Sequence, residues 1–290
     1  MKQIRFKKLA FLMVRKLRIP LWMQKILYDL FYRLESILKY GDPFFARIIC
    51  FEINTGCNRK CTYCPVSLDK ENINNLMSWE TFKAGIRQLK EIKFSGSIMY
   101  HFYNEPLMDN RIVEFVQYTT NELPGAISRI FTNSDYLNLE LAEALFSAGL
   151  NDIHITDHNL TKGRIAKRVS PIVEKFKNRV TVDEGLGHSA DRPIDNRGGL
   201  IDVVALGATE YLRKDCKVVW EEVKIDVNGN VLLCTNDYYR QHIFGNINKQ
   251  NFKDIWFGEE YSRVRNNLRK GLAEYDICLK CNYASPEKIK

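Results

Sequence analysis

Apolar and polar positions alternate with two different periods along the middle of the chain. Residues 47–54 alternate between apolar side chains and the polar positions Cys50, Glu52 and Asn54, which predicts a strand. Downstream, the spacing of apolar residues predicts strands over 97–102, 127–132, 152–157 and 180–183, and helices over 79–92, 109–121, 138–148 and 164–175. Strands that alternate with helices of this length predict βαβ units around a parallel sheet, with functional side chains at the carboxyl ends of the strands.

The pattern changes after about residue 205. Residues 223–226 and 231–233 are predicted to be two short strands joined by an Asn228-Gly229 turn, and a helix is predicted over 259–270. A unit of this size has too small a core to be stable without a covalent or metal staple. We therefore expect a small α+β unit over 206–290, after an α/β unit over 47–205.

Positive charge is confined to the first part of the chain. Residues 1–40 carry ten Lys or Arg side chains and two acidic ones, a net charge of +8, whereas the other 250 residues carry 33 of each sign. The pI of about 9.0 therefore does not indicate a general nucleic-acid-binding surface, and we expect no nucleic acid as a partner. With 45% hydrophobic and 12% aromatic residues, the chain has enough apolar surface to fold.

The N-terminal segment, residues 1–46, is basic and amphipathic. Residues 22–39 place apolar side chains at helical spacing beside a narrow polar stripe that contains Asp29, Ser36 and Lys39. A broad apolar face flanked by cations is typical of a helix in a membrane interface, where each nearby Lys or Arg adds about 1 kcal/mol of attraction to anionic lipid. The alternative is a helix that packs across an open barrel or in a dimer interface, with its basic residues in solvent.

These features predict a cytoplasmic protein that is attached peripherally to the membrane. No apolar run reaches the roughly 18–20 residues of a membrane-spanning helix. The basic residues that follow 9–14 do not fit a cleavable signal peptide. We predict that residues 1–40 attach the protein to the cytoplasmic face of the membrane, beside a substrate that is itself lipid-linked.

Eight cysteines carry the strongest chemical signal. In a reducing compartment, closely spaced cysteines indicate metal or redox chemistry more often than structural disulfides. Cys57, Cys61 and Cys64 form a C-x3-C-x2-C loop directly after the first predicted strand. A cubane iron–sulfur cluster takes four thiolates, so three on one loop would leave one iron open for chemistry. The alternative is a zinc loop that recruits a fourth ligand such as His101.

The loop, its place after the first strand and the repeated βα units resemble the radical SAM superfamily. The resemblance implies a partial (β/α)6 TIM-like barrel over residues 47–205, in which a 4Fe–4S cluster on Cys57, Cys61 and Cys64 binds S-adenosylmethionine (SAM). It also implies that an electron from a partner such as flavodoxin or ferredoxin cleaves SAM to methionine and a 5′-deoxyadenosyl radical, which abstracts a hydrogen atom from the substrate. Tyr63, the aromatic before the third cysteine, would lie beside the adenine.

Two further elements match the same family. The segment Tyr103-Asn104-Glu105-Pro106 matches its Gly-Gly-Glu-like motif after the second strand, although both glycines are replaced. Within it, Asn104 would belong to the SAM site and Glu105 would accept hydrogen bonds from the SAM ammonium. Thr156 and Asp157 end the fourth strand, where the family often places a polar residue near the ribose or the methionine. The alternative for Glu105 is an exposed acid in a loop. The alternative for Thr156 and Asp157 is an ordinary strand end.

A second group of four cysteines lies in the C-terminal unit. Two flank the predicted hairpin and two form a C-x2-C pair: Cys216, Cys234, Cys278 and Cys281. Four thiolates complete one closed site, and the spacing fits either a second 4Fe–4S cluster or structural zinc. The residues around Cys234 resemble the twitch domain, a shortened SPASM domain found on radical SAM enzymes. That resemblance implies one auxiliary iron–sulfur cluster, in a layout similar to that of dehydrogenases that oxidise an aminocyclitol hydroxyl.

Together these resemblances imply oxidation or epimerisation of a hydroxylated small molecule such as a sugar or cyclitol derivative. Oxidation needs an electron acceptor, which the auxiliary cluster would supply. Epimerisation needs a hydrogen-atom donor, for which Cys50, the one cysteine outside both groups, is the candidate. Two other hypotheses are a radical SAM maturase that modifies peptides and a non-catalytic barrel with a structural zinc site.

Overall fold

The protein is built on one eight-stranded sheet. A computed structural model describes residues 20–69, 73–158, 164–184, 194–206, 216 and 218–282. The strands are β1 (Ile48–Phe51), β2 (Ser97–Met99), β3 (Ile127–Thr132), β4 (Asp152–Asp157), β5 (Val180–Glu184), β6 (Glu222–Ile225), β7 (Asn230–Leu232) and β8 (Ile243–Asn246). The helices are α1 (Leu21–Tyr40), α2 (Trp79–Glu91), α3 (Ile112–Glu122), α4 (Leu139–Ser147), α5 (Arg164–Phe176), α6 (Val218–Glu221), α7 (Phe252–Phe257), α8 (Glu259–Arg269) and α9 (Asp276–Lys280).

The sheet has the order β5-β4-β3-β2-β1-β6-β7-β8. All pairings from β5 across to β6 are parallel, and β7 and β8 add to this array in antiparallel fashion. Because β5 and β8 lie at opposite edges, the sheet is open rather than closed. The predicted α/β fold with a partial (β/α)6 barrel is therefore confirmed.

The predicted hairpin is not a separate sheet, because its first strand extends the barrel. β6 pairs in parallel with β1, in a register that sets Ile48 opposite Glu222 and Cys50 opposite Lys224. This pairing joins segments far apart in sequence, whereas the hairpin signal in 223–233 is local, so the sequence pattern did not reveal it. The boundary between 205 and 206 stays a prediction, since 207–215 lie outside the described residues.

The outer face of the parallel sheet forms the main core. Ile98, Ile130 and Ile153 are fully buried on β2, β3 and β4 and belong to one cluster with Phe82 of α2 and Phe115 of α3. Helices α2 and α4 begin at side-chain caps, since Ser78 and Asn138 each accept a hydrogen bond from a backbone N–H in the first turn. The opposite face carries polar side chains, and the carboxyl ends of the strands meet at one rim.

Helix α1 packs on the protein through its polar stripe and leaves its apolar side in solvent. Ser36 is 1% exposed, the Tyr32 hydroxyl donates to the Phe45 carbonyl at 2.8 Å, and Lys39 Nζ donates to Ser95 at 2.7 Å. In contrast, the exposed fractions of the large apolar side chains on the other face run from 47% to 78%: Ile26, Leu30, Phe31, Leu34, Ile37 and Leu38. We call these six residues the α1 apolar face.

Neither α1 nor any other helix among the described residues is long and apolar enough to cross a membrane. The N-terminal part of the predicted basic segment, 1–19, lies outside the described residues.

Candidate active site

The cysteine loop leaves the carboxyl end of β1 and lies at the rim of the barrel. Cys57, Cys61 and Cys64 are each partly buried, and the Cys64 N–H donates to the Cys61 carbonyl at 2.9 Å. Burial raises the pKa of Cys57 to about 11, and the neighbouring Glu105, Cys64 and Cys61 add to this rise. The three thiols thus lie on one loop and influence one another electrostatically, and the cluster that they would share stays a prediction.

Side chains from the end of β3 hold the cysteine loop in place. Asp135 accepts both ends of the Arg59 guanidinium, at 2.6 and 2.5 Å, and accepts Asn58 at 2.8 Å. Asn133 Nδ2 donates to Asn58 Oδ1 at 2.8 Å. The Arg59 hydrogen bond keeps the pKa of Asp135 below its ordinary value, so this carboxylate remains charged at neutral pH. Ion pairing across the rim thus orients the residues between Cys57 and Cys61.

The end of β4 contacts the aromatic residue of the loop. The Tyr63 hydroxyl and His158 Nδ1 form a hydrogen bond, with ring centroids 5.9 Å apart. Burial lowers the pKa of His158 to about 4, so the imidazole is neutral, and its tautomer sets which of the two groups donates. Thr156 lies on the half-exposed interior face of β4, whereas Asp157 is 3% exposed. The adenine contact of Tyr63 and the SAM contacts of Thr156 and Asp157 stay predictions.

Glu105 and Asn104 are buried and serve as connectors between strand ends. Glu105 Oε1 accepts from the Thr132 hydroxyl at 2.6 Å and from the Leu107 N–H at 3.1 Å, and Oε2 accepts from the Asn133 N–H at 2.8 Å. Asn104 Nδ2 donates to Asn54 Oδ1 at 2.7 Å. Glu105 is therefore not an exposed loop acid. An ionised carboxylate has about four acceptor lone pairs, and these three donors occupy three of them. The predicted contact with the SAM ammonium would have to use the remaining one.

The second group of cysteines lines one cavity. Cys216, Cys234, Cys278 and Cys281 contribute to its wall, and burial raises the pKa of Cys234 well above its ordinary value, with the other three thiols as further causes. Two N–H groups of Asn236 face this set, since its backbone N–H lies 3.3 Å from Cys234 Sγ and its Nδ2 lies 3.3 Å from Cys281 Sγ. Four thiols and two N–H donors fit a cluster whose sulfurs accept hydrogen bonds.

A polar group lies between the two cysteine sets. The Arg197 guanidinium is 5.7 Å from the Tyr103 ring. Burial raises the pKa of the Cys64 thiol, and the Arg197 charge opposes this rise. Arg197 also pairs with Asp195 at 3.2 Å. Tyr103 packs edge-on against Tyr238, and its shielded hydroxyl has no hydrogen-bond partner within the described parts of the chain. The group thus holds a guanidinium and a phenol that both interact electrostatically with Cys64.

Cys50 is buried and hydrogen-bonded rather than free to move. Lys224 Nζ lies 3.1 Å from Cys50 Sγ and 3.0 Å from Glu222. Burial raises the pKa of the Cys50 thiol, and the Lys224 ammonium opposes this rise. His101 lies in the same environment, where burial and Lys224 lower its pKa to about 3. His101 therefore belongs to the interior of the barrel beside β6.

Sequence reasoning identified the cysteines but missed most of the side chains that position them: Asn58, Arg59, Asn133, Asp135, His158, Asp195, Asn236 and Tyr238. Most of these lie in loops or at element ends, where periodicity gives no signal. Their placement at the carboxyl ends of predicted strands was the available signal for Asn133, Asp135 and His158.

Comparisons with known proteins identify the same two parts of the chain. The radical SAM superfamily profile matches residues 51–169, and that of an iron–sulfur cluster-binding domain, SPASM, matches 216–282. The chain is similar to an S-adenosyl-L-methionine-dependent 2-deoxy-scyllo-inosamine dehydrogenase of Niallia circulans, with 32% identity over 84% of this chain and 95% of the relative.

Solved structures agree with these matches. The crystal structure of BtrN in complex with AdoMet and 2-DOIA is 30% identical, with a TM-score of 0.74 over 85% of this chain and 96% of BtrN. A structure of anSMEcpe with bound AdoMet is 13% identical, with a TM-score of 0.55 over 79% of this chain and 80% of that protein, and supports the fold.

Proposed function

The chain belongs to the radical SAM superfamily, and from this premise we propose that it dehydrogenates a secondary hydroxyl of a cyclitol or amino-cyclitol. It is a radical SAM oxidoreductase whose cofactors are SAM and two iron–sulfur clusters. The observation that carries the choice of substrate is the similarity, over most of both chains, to an enzyme that acts on 2-deoxy-scyllo-inosamine.

Each of the two cysteine groups would hold one iron–sulfur cluster. Cys57, Cys61 and Cys64 would hold the cluster that binds SAM, and Cys216, Cys234, Cys278 and Cys281 would hold the auxiliary cluster. When bound, SAM supplies a hydrogen-abstracting radical on one-electron reduction, and the auxiliary cluster supplies an electron acceptor. The carbinol carbon gives up one hydrogen atom, and the hydroxyl oxygen then gives up a proton as one electron leaves, which yields the ketone.

Arg197 and Tyr103 are the residues that we propose to orient the substrate. Both interact electrostatically with Cys64, and the Tyr103 hydroxyl is buried with donor and acceptor capacity to spare. A substrate hydroxyl there could accept from the guanidinium and bond to the phenol. The fixed cation beside that oxygen would favour loss of its proton as the electron leaves.

We propose oxidation rather than epimerisation because, among the described residues, the one cysteine outside both groups is poorly placed to donate a hydrogen atom. Cys50 is the candidate from the sequence, and its sulfur accepts from Lys224 in the interior of the barrel. A hydrogen-atom donor must reach the substrate carbon directly, and Cys50 is 1% exposed. Peptide modification is the second candidate, but no observation on the described residues favours it.

Anaerobic turnover tests this function. The reconstituted enzyme is incubated with SAM, a chemical reductant and 2-deoxy-scyllo-inosamine or related cyclitols, and the products are identified by mass spectrometry. We expect 5′-deoxyadenosine together with a product two hydrogens lighter than the substrate. A product of unchanged mass and inverted configuration would show epimerisation, and no conversion of any cyclitol would contradict the proposed substrate class.

The reductant and the membrane are further parts of this proposal. We propose that a flavodoxin or ferredoxin supplies the electron, as the chemistry of SAM cleavage requires a one-electron donor. We also propose that residues 1–40 attach the enzyme to the cytoplasmic face of the membrane, beside a lipid-linked substrate. The support is the α1 apolar face, because a soluble helix normally turns its apolar side inward, whereas α1 turns it outward next to a strongly basic segment.

Vesicle flotation measures this attachment. The full chain should float with vesicles containing phosphatidylglycerol and much less with pure phosphatidylcholine. The double change Leu34→Glu and Leu38→Glu should lower the partition coefficient by roughly a hundredfold or more, since each buried leucine contributes roughly 1.5–3 kcal/mol and about 1.4 kcal/mol is a factor of ten. Deletion of residues 1–19 should also lower it, since each Lys or Arg near anionic lipid contributes about 1 kcal/mol. Leu272→Glu is the matched control, because Leu272 is also exposed but lies far from α1 in the chain. Equal recovery for all variants and both vesicle types, or a dimer that the double change dissociates, would contradict membrane attachment.

A further inference from the structure

Asn236 connects the auxiliary cysteines to the polar group beside the other cysteine loop. Its side chain is 3% exposed, and Nδ2 donates both to Cys281 Sγ at 3.3 Å and to Asp195 Oδ1 at 3.1 Å. Both neighbours are acceptors, so the amide nitrogen, not its oxygen, must face them. Within the described residues, Oδ1 has no hydrogen-bond partner. The amide is therefore held in one orientation by the thiol and the carboxylate together.

The segment that carries Asp195 is fixed to the cysteine pair by the backbone. Asn196 and Asn282 exchange hydrogen bonds, from each backbone N–H to the other side-chain oxygen, at 2.6 and 3.1 Å. Gly198 has a φ of +68°, and a Cβ there would lie 2.4 Å from Ile277 Cγ1 on α9, so only glycine allows this approach. Asp195 is thus held beside Cys281 independently of Asn236.

We propose that Asn236 is a positioning residue that raises the reduction potential of the auxiliary cluster. A reduced cluster carries one more negative charge, and an N–H donor on a ligand sulfur stabilises that charge. The effect is strong where water is excluded, because a buried site has a low effective dielectric constant. The inference rests on the proposed function in one respect. In that function the auxiliary cluster accepts an electron from the substrate, and a higher reduction potential favours this transfer.

A redox titration followed by EPR tests the proposal. Titrations use the full chain with Cys57, Cys61 and Cys64 changed to alanine, so that the auxiliary cluster alone gives a signal. Asn236→Ala should make its reduction at least tenfold less favourable, which is about 59 mV more negative for a one-electron couple. Asn236→Asp should shift the potential further in the same direction, because a carboxylate would replace the donor.

Asn246→Ala is the matched control, since Asn246 donates to Asn228 and Asn230 and has no hydrogen bond to a cysteine within the described parts of the chain. Its potential should equal that of the parent protein. The proposal is overturned if Asn236→Ala or Asn236→Asp, with full iron and sulfide content, titrates at the parent potential or above it. If alanine prevents cluster binding, Asn236→Ser is titrated with the same expectation and the same contradicting result. No substrate is present, so failure here leaves the proposed dehydrogenation untouched.

Discussion

Changing Cys57, Cys61 or Cys64 to alanine should abolish the formation of 5′-deoxyadenosine from SAM. Two remaining thiolates on this loop cannot hold a cubane cluster with one open iron, and the open iron is the atom that would bind SAM and pass it an electron. We expect loss to the background of the assay, measured by chromatography after incubation with SAM and a strong reductant.

Cys50→Ala is the matched control for this result. It removes a buried thiol of the same strand-and-loop segment that belongs to neither cysteine group, and it should still yield 5′-deoxyadenosine. Iron analysis should show loss of about four irons in each loop variant, with the auxiliary cluster retained. A Cys61→Ala protein that still cleaves SAM would contradict the assignment of the loop.

Changing Cys278 to alanine should separate SAM cleavage from substrate oxidation. The first cluster is bound by other residues, so 5′-deoxyadenosine should still form, whereas the ketone should fall to background because the electron acceptor is lost. Leu279→Ala is the control, because Leu279 lies in the same helix α9 and its side chain is 59% exposed. Product analysis and iron content are measured on both variants.

Full conversion of the substrate by Cys278→Ala would show that the second cysteine group has no role in electron transfer. Loss of both activities with an unfolded C-terminal unit would instead assign the group a structural role, as expected for a metal staple. Circular dichroism and SAM-cluster iron content distinguish these two results.

The chemistry was easier to predict than the contacts that position it. Alternation along 47–54 placed Cys50 and Glu52 on one face, and the strands β3 to β5 begin and end close to their predicted limits, because local period and turn residues determine both. β2 begins at Ser97 as predicted but ends at Met99 rather than at 102. The cysteine spacings are local features as well, and they led to the family and to both clusters.

Long-range features were not predictable from pattern. The parallel pairing of β6 with β1 joins segments about 170 residues apart in the sequence. In this pairing Cys50 lies opposite Lys224. The amphipathic pattern correctly showed that α1 has two faces, but the side that packs inward is decided by specific contacts, such as that of Tyr32 with Phe45. The ion pair of Arg59 with Asp135 likewise joins two loops, and neither loop has a period that could predict the other.

The most direct measurement of the central claim is deuterium transfer from the substrate. A cyclitol labelled with deuterium at the carbinol carbon is incubated anaerobically with the enzyme, SAM and reductant, and the 5′-deoxyadenosine is examined by mass spectrometry. We predict one deuterium in 5′-deoxyadenosine and an equal amount of ketone that has lost the label. Unlabelled 5′-deoxyadenosine, formed beside a ketone, would contradict hydrogen abstraction from that carbon by this enzyme.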